Sequence, residues 1–172
     1  MIRNEPDALI LAFRPFTRGF AYVLMEGPLS PVDWGIKEIR GGKWNARVFA
    51  AVRKLMERAT AGVLVIPDKD GKPSPSQKVK RLLLRVTNHA AAESIEVHRY
   101  SRADLRACFA HLGAATGYEI AQAIASQMPA FAHRLPRLRR IWDHVDTRLY
   151  LFDAAALAMT YYASNTPDDY EE

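Results

Sequence analysis

The chain has 172 residues, 49% of them hydrophobic, and carries a formal net charge of +5 at pH 7. This length and composition predict one globular domain with a substantial core. The apolar runs are too short to cross a bilayer, and the first residues lack a signal-peptide pattern. The single cysteine, Cys108, excludes an intramolecular disulfide and a cysteine metal cluster. We therefore expect a soluble, cytoplasmic protein with no membrane partner.

Positive charge is unevenly distributed along the chain. Two segments, residues 69–85 and 133–142, are rich in lysine and arginine, whereas residues 166–172 (TPDDYEE) are acidic. We predict a single domain over residues 1–165, followed by a flexible acidic tail. A basic surface suits an anionic partner such as nucleic acid, but solvated helix faces and loops would give the same pattern. Composition alone does not decide between these two interpretations.

The first part of the chain has the pattern of three antiparallel strands. Residues 8–13 are apolar throughout, as in a strand buried on both faces, and residues 19–26 are rich in aromatic and β-branched side chains. Residues 32–39 alternate apolar and polar positions, which indicates a strand with one solvated face. Short turns separate the three segments and predict a meander. Arg14 and Pro15 are predicted at the bend between the first two strands.

The remainder alternates helices with short strands. An apolar helical stripe covers residues 44–56, a strand follows at residues 62–67, and a second helix begins near Pro75. Residues 94–100 form the fifth predicted strand, and Ser101 is the expected N-cap of a third helix. Two further helices contain TGYEIAQAIASQM and DTRLYLFDAAALAMTYY. This order, β-β-β-α-β-α-β-α-α-α, predicts an α/β fold with a mixed five-stranded sheet and helices on both faces.

With these elements the chain resembles the RuvC-like resolvase branch of the ribonuclease H-like superfamily. The segment ILAFRPFTRGFAYVLM is similar to the family's opening I-L-G-I-D-P-G…G-Y-G-V-I, and FDAAALAMTYY is similar to its closing D-A-A-D-A-L-A-I-A. The resemblance covers residues 8–162. It implies the sheet order 3-2-1-4-5 with strand 2 antiparallel, binding of branched DNA, and a homodimer. We expect the dimer interface on the helix of residues 44–56 or on the segment AHLGAATGY.

Members of that family cleave branched DNA with carboxylates that bind two divalent cations, and the resemblance places these carboxylates residue by residue. The first-strand aspartate, which normally bridges both cations, falls on Arg14. The fourth-strand acid falls near Pro67 and Asp68, with Asp70 nearby. The closing-helix acid falls on Asp153, with Ala155 or Ala156 at the position of a second acid. An arginine cannot ligate a metal and would repel one. Arg14 could instead pair with Asp68 or Asp153 and bind a phosphate.

Two further acids could complete a rearranged catalytic set. Asp146 precedes Asp153 by two helical turns, and Glu119 belongs to the helix before it. The set Asp68, Asp153, Asp146 and Glu119, with Asp68 and Asp153 as metal ligands, would make an active endodeoxyribonuclease dependent on magnesium or manganese. Each acid also has a structural interpretation. Asp68 could open a turn, Asp153 could cap a helix, and Glu119 could face solvent.

The leading hypothesis is therefore a RuvC-like protein that binds branched or duplex DNA, in preference to RNA, without a tightly bound cofactor. We expect the arginine at the first acidic position to weaken or remove hydrolysis. The alternatives are the active Holliday-junction-type endonuclease and a protein-interaction scaffold. The predicted phosphate contacts are basic residues of the first turn and of the two basic segments: Arg14, Arg18, Lys69, Lys72, Lys78, Lys80, Arg81, Arg137, Arg139 and Arg140.

Overall fold

The computed structural model describes residues 9–71, 74–138 and 146–165. The strands in this part of the chain are β1 (Ile10–Phe16), β2 (Gly19–Gly27), β3 (Ser30–Glu38), β4 (Val63–Pro67) and β5 (Glu96–Tyr100). The helices are α1 (Trp44–Ala59), α2 (Gln77–Ala92), α3 (Arg102–Phe109), α4 (Gly117–Gln127) and α5 (Arg148–Asn165), with 3-10 turns at Ala110–Leu112 and Pro129–Arg134. None of the helices described is long and apolar enough to span a bilayer.

The five strands form one mixed sheet in the order β3-β2-β1-β4-β5. β2 runs antiparallel to both β1 and β3, whereas β4 is parallel to β1 and β5 is parallel to β4. Parallel neighbours need a crossover, and α1 and α2 supply the two crossovers that lead into β4 and β5. The predicted mixed sheet with order 3-2-1-4-5 and an antiparallel strand 2 is confirmed.

β1 is longer than the sequence predicted, because it continues through Arg14 and Pro15. The bend predicted at these two residues is wrong, because the turn between β1 and β2 is formed by Thr17 and Arg18. Pro15 pairs with Phe20 of β2, while the ladder to β4 ends at Ala12, so the missing N–H of the proline removes no hydrogen bond on the β4 side. Because the strand is continuous, Arg14 keeps the alternation of β1 and lies on the same face of the sheet as Ala12.

The start of β2 is fixed by a glycine in close contact with β3. Gly19 has a φ of +152°, and a Cβ atom there would lie 1.9 Å from the carbonyl oxygen of Lys37. Only glycine fits both the backbone conformation and the space. Beside it, the Ile39 N–H donates to the Arg18 carbonyl at 2.8 Å. The β1–β2 turn is therefore held against the end of β3.

Helices cover both faces of the sheet and create two apolar clusters. Along β1, Leu11 and Phe13 pack with α1 and α2, whereas Ile10 and Ala12 pack with α3, α4 and α5. α5 contacts the sheet as well as α3 and α4, so apolar residues surround its axis instead of forming a single stripe. Its buried residues are Leu151, Phe152, Ala154, Ala155, Ala156, Leu157, Ala158 and Thr160.

One of the two surfaces predicted as a dimer interface, the apolar stripe of α1, is not exposed. The apolar stripe of α1, including Trp44, Val48 and Val52, is buried within the molecule. An exposed apolar face on α1 is therefore wrong, because the stripe covers the sheet. In the segment AHLGAATGY, Leu112 is 43% exposed. The homodimer itself stays a prediction.

Candidate functional site

The carboxyl ends of β1, β4 and β5 open into a cleft of about 260 Å³. Its charged and aromatic lining includes Arg14 of β1, Asp68 after β4, Arg102 of α3, and Tyr150 and Asp153 of α5. Loops that follow parallel strands lie at one edge of a sheet, which is where α/β proteins commonly bind ligands. The topology thus brings these residues from four separate segments to one place.

Arg14 pairs with Asp153 at the base of this cleft. The alternation of β1 directs Arg14 toward α5, where its Nε lies 3.4 Å from Asp153 Oδ2. The guanidinium carbon is 4.9 Å from the centre of the Tyr150 ring, and Nη1 donates to the Pro15 carbonyl. The Arg14 and Asp153 side chains are 25% and 17% exposed, so the ion pair is largely shielded from solvent.

A second arginine, which the sequence analysis missed, reaches the same carboxylate. Arg102 Nη2 lies 3.6 Å from Asp153 Oδ2. Arg102 is the first residue of α3, and its position is fixed by a capping box in which Ser101 and Asp104 each accept from the other's backbone N–H. A capped helix that starts directly after β5 must begin at the cleft edge, and this is the signal that could have identified Arg102.

The Asp153 carboxyl experiences opposing influences. Burial raises its pKa above the usual range, while the positive charges of Arg14 and Arg102 act to lower it. Both guanidinium groups approach the same oxygen, Oδ2. The cleft therefore contains two fixed cations that share one carboxylate.

Asp68 lines the cleft, but its polar contacts are those of a turn. Its backbone N–H donates to the Tyr100 carbonyl at 2.9 Å, and its Oδ1 accepts from the Asp70 N–H at 3.0 Å. The Gly71 N–H donates to the Asp68 carbonyl at 3.2 Å. This arrangement corresponds to the structural interpretation of Asp68, in which an aspartate side chain opens a turn. A role for Asp68 as a metal ligand stays a prediction.

Asp146 and Glu119 do not line the cleft. α5 begins at Arg148, so Asp146 lies before the helix and cannot share a helical face with Asp153. The Asp146 carboxylate instead accepts hydrogen bonds from Arg148 Nη2 at 2.7 Å and from Arg148 Nε at 3.0 Å. These hydrogen bonds lower the pKa of Asp146. Glu119 is exposed and accepts from the Thr116 N–H in the capping box of α4. The structure therefore does not bring the rearranged carboxylate set together.

The donor set of the cleft does not suit a divalent cation. Magnesium requires several oxygen ligands around it, and the charged lining supplies Asp68 and Asp153 together with two guanidinium groups. Within the described residues, no group of three or more His, Cys, Asp or Glu side chains is arranged to hold a metal. A cation beside Asp153 would also be repelled by Arg14 and Arg102.

The predicted phosphate contacts lie mainly around this edge. Arg18, Lys69 and Arg81 are exposed, Lys80 is half-buried, and Arg137 is exposed after the second 3-10 turn. Lys72, Arg139 and Arg140 lie outside the described residues, as does the acidic tail at 166–172.

Lys78 already has partners on the protein. Its Nζ donates to the Thr17 carbonyl at 3.0 Å and lies 4.1 Å from the centre of the Trp44 ring. These contacts bring the first turn of α2, the first residue of α1 and the β1–β2 turn together.

Two more helices begin at the same edge of the sheet. α3 starts directly after β5, and Phe16 at the end of β1 stacks on Tyr150 in the first turn of α5, with ring centres 4.4 Å apart. Four helices therefore begin at this edge, and each N-terminus carries partial positive charge.

The comparisons with known proteins concern the fold. No protein-family model and no curated protein matches the sequence. Among solved structures, the chain is similar to Thermus thermophilus RuvC in complex with a Holliday junction substrate, with a TM-score of 0.67 and 14% identity over 91% of this chain and 94% of that one. The fold is RuvC-like. A structure of T. thermophilus RuvC gives a TM-score of 0.63 and 18% identity over 91% and 95% of the two chains. This mixed sheet with flanking helices is the ribonuclease H-like arrangement.

Proposed function

We propose that this protein binds branched or duplex DNA at the edge of the sheet around the cleft, without cleaving it by a two-metal mechanism. The observation that carries the proposal is the position of Arg14. It lies near the end of β1, 3.4 Å from Asp153, where the RuvC-like resemblance implies an aspartate that bridges two cations. A fixed cation in this place favours phosphate binding and opposes metal binding.

The electrostatic cost for a metal supports the absence of hydrolysis. Two-metal catalysis needs carboxylates that hold both cations and stabilise the attacking and leaving oxygens. A unit charge about 4 Å from Arg14, at an effective dielectric constant of about 20, is repelled by about 4 kcal/mol per unit of charge. That energy corresponds to about three orders of magnitude in affinity. We therefore expect magnesium and manganese to bind weakly at this site.

The charge at the edge of the sheet supports nucleic acid as the partner. Exposed Arg18, Lys69 and Arg81 accompany the N-termini of four helices, and the chain as a whole is basic, with a pI near 9.5. The similar T. thermophilus RuvC chain was solved with a Holliday junction substrate. Contacts to the phosphate backbone would make the affinity depend steeply on salt.

The test combines binding and cleavage assays on the full chain. Fluorescence anisotropy with a four-way junction and a duplex should show binding that falls by at least about tenfold between about 50 mM and about 200 mM salt. Replacing Lys69 and Arg81 together by alanine should weaken binding to all sequences alike. Arg53→Ala is the matched control, because Arg53 is exposed on α1 and pairs with Glu57 at 3.8 Å.

The nuclease arm uses the same substrates with magnesium or manganese, and we expect no cleavage. Arg14→Asp should acquire a metal-dependent rise in melting temperature that the unaltered protein lacks. Cleavage that both Asp68→Asn and Asp153→Asn abolish would establish the endonuclease instead. Absence of DNA binding at low salt would contradict the proposal and favour the interaction scaffold.

A further inference from the structure

The two guanidinium groups of the cleft are incompletely paired. Charge-assisted N–H···O contacts are usually about 2.7–2.9 Å long, whereas Asp153 Oδ2 lies 3.4 Å from Arg14 and 3.6 Å from Arg102. Within the described residues, Asp153 is the polar side-chain partner of Arg102, whose guanidinium carries five N–H donors. One oxygen of the Asp153 carboxylate therefore serves two guanidinium groups at long distances, and Arg14 has a further contact with the Pro15 carbonyl.

We propose that the cleft is a phosphate-binding site in which Asp153, in the free protein, occupies the place that phosphate oxygens take between Arg14 and Arg102. The carboxylate acts as a built-in competitor for the ligand. The inference deepens the proposed function, and rests on it only where the phosphate belongs to DNA.

The geometry favours a phosphate over the carboxylate as the partner of both arginines. A phosphate group presents several acceptor oxygens around one centre, so it can bind two guanidinium forks at once, each with bidentate contacts. The cleft volume of about 260 Å³ leaves room for a group larger than a single water molecule. Ser76 and Ser101, the N-caps of α2 and α3, also line the cleft and bring two helix N-termini to it.

A phosphate that engages both arginines must displace Asp153 Oδ2 from them, whereas Asp68 keeps its contact with the Asp70 N–H.

The test is calorimetric titration of the full chain with two probes, inorganic phosphate and dimethyl phosphate. A monoester-type site prefers the first probe, and a site for the nucleic-acid backbone accepts the second. Arg102→Gln should weaken binding by about tenfold, as expected for loss of charge-assisted hydrogen bonds. Arg106→Gln is the matched control, because Arg106 is exposed on the same helix and does not line the cleft.

Asp153→Asn provides the opposite change. Removing the competing charge should tighten phosphate binding by about tenfold. Circular dichroism verifies that each variant is folded. If Asp153→Asn does not fold, the effect of Arg102→Gln on phosphate binding tests the inference by itself.

Equal binding by the unaltered protein and Arg102→Gln would overturn the inference, as would weaker binding by folded Asp153→Asn or absence of binding by both probes. DNA binding by a protein that binds neither phosphate probe would remove the inference and leave the proposed function intact. Phosphate binding without DNA binding would support the inference and contradict the proposed function.

Discussion

Two cations at the same edge of the sheet are held in different ways on its two faces. On the α5 face, Arg14 meets Asp153, and the two side chains are 25% and 17% exposed. On the opposite face, exposed Lys78 lies 4.1 Å from the centre of the Trp44 ring and donates to a backbone carbonyl. The shielded pair cannot lose one member without leaving an uncompensated charge inside the protein. The exposed lysine can be removed or rehydrated at little cost.

The largest effect should come from Asp153→Ala, which leaves Arg14 and Arg102 facing each other without a counter-ion. We expect the free energy of unfolding to fall by about 3 kcal/mol, measured by urea unfolding with circular dichroism. The double variant Arg14→Met with Asp153→Leu should recover part of this loss, since it removes both members of the shielded pair and leaves without a counter-ion only Arg102, whose side chain is 34% exposed.

Glu57→Ala is the control for Asp153→Ala, because it breaks the exposed pair between Arg53 and Glu57 and should cost less than about 1 kcal/mol. If Asp153→Ala cost no more than Glu57→Ala, the contrast between the two faces would fail.

A smaller effect concerns pH and has opposite signs for two acids of the same region. Burial raises the pKa of Asp153 above its ordinary value of 3.8, so the folded state retains a proton that the unfolded state releases. Stability therefore falls as pH rises from about 4 through the folded pKa. Hydrogen bonding to Arg148 lowers the pKa of Asp146 below 3.8. Its contribution is present above that value and is lost as pH falls through the folded pKa.

Urea unfolding between about pH 3 and about pH 7 checks these signs. Relative to Asp153→Asn, the unaltered protein should lose stability on going up in pH above about 4. Relative to Asp146→Asn, it should lose stability on going down below about 4. Slopes of the same sign for both comparisons would show that the positive charges of Arg14 and Arg102 outweigh burial and lower the pKa of Asp153.

The smallest effect should come from Lys78→Ala on the other face. Loss of the ring contact and of the bond to the Thr17 carbonyl should lower the free energy of unfolding by about 0.5–1 kcal/mol and change the fluorescence of Trp44. Lys80→Ala, on the same turn of α2, should change stability by less than about 0.5 kcal/mol. A loss as large as that of Asp153→Ala would mean that Lys78 is not free to rehydrate.

The sheet was predictable because its signal is local and periodic. The uniformly apolar β1, the alternating β3 and the helical stripes each report how many faces of an element are buried, and short connections leave few possible topologies. The end of β1 was not predictable in this way. A proline suggests a bend, and only the point at which the β4 ladder stops explains why Pro15 can remain in the strand.

Some contacts of the candidate site were likewise predictable from the sequence, and others were not. That Arg14 and Asp153 meet followed from the convergence of β1 and the last helix at one edge of the sheet. The predicted N-cap at Ser101 places Arg102 at the cleft edge, but its contact with Asp153 depends on how α3 packs against α5, which that local pattern does not report. Asp146 was assigned to α5, but its Oδ1 accepts the Arg148 N–H at 3.0 Å, and the helix starts only there.

The close approach at Gly19 affects how sequence variation in this protein should be interpreted. In a set of related sequences, an invariant glycine next to Arg18 would resemble a ligand contact. The carbonyl of Lys37, 1.9 Å from where a Cβ atom would lie, excludes every other residue for purely steric reasons. Arg102 is the reverse case, since its side chain lines an open cleft and is 34% exposed. Invariance at position 19 would therefore record steric exclusion, whereas invariance at position 102 would record selection by a ligand.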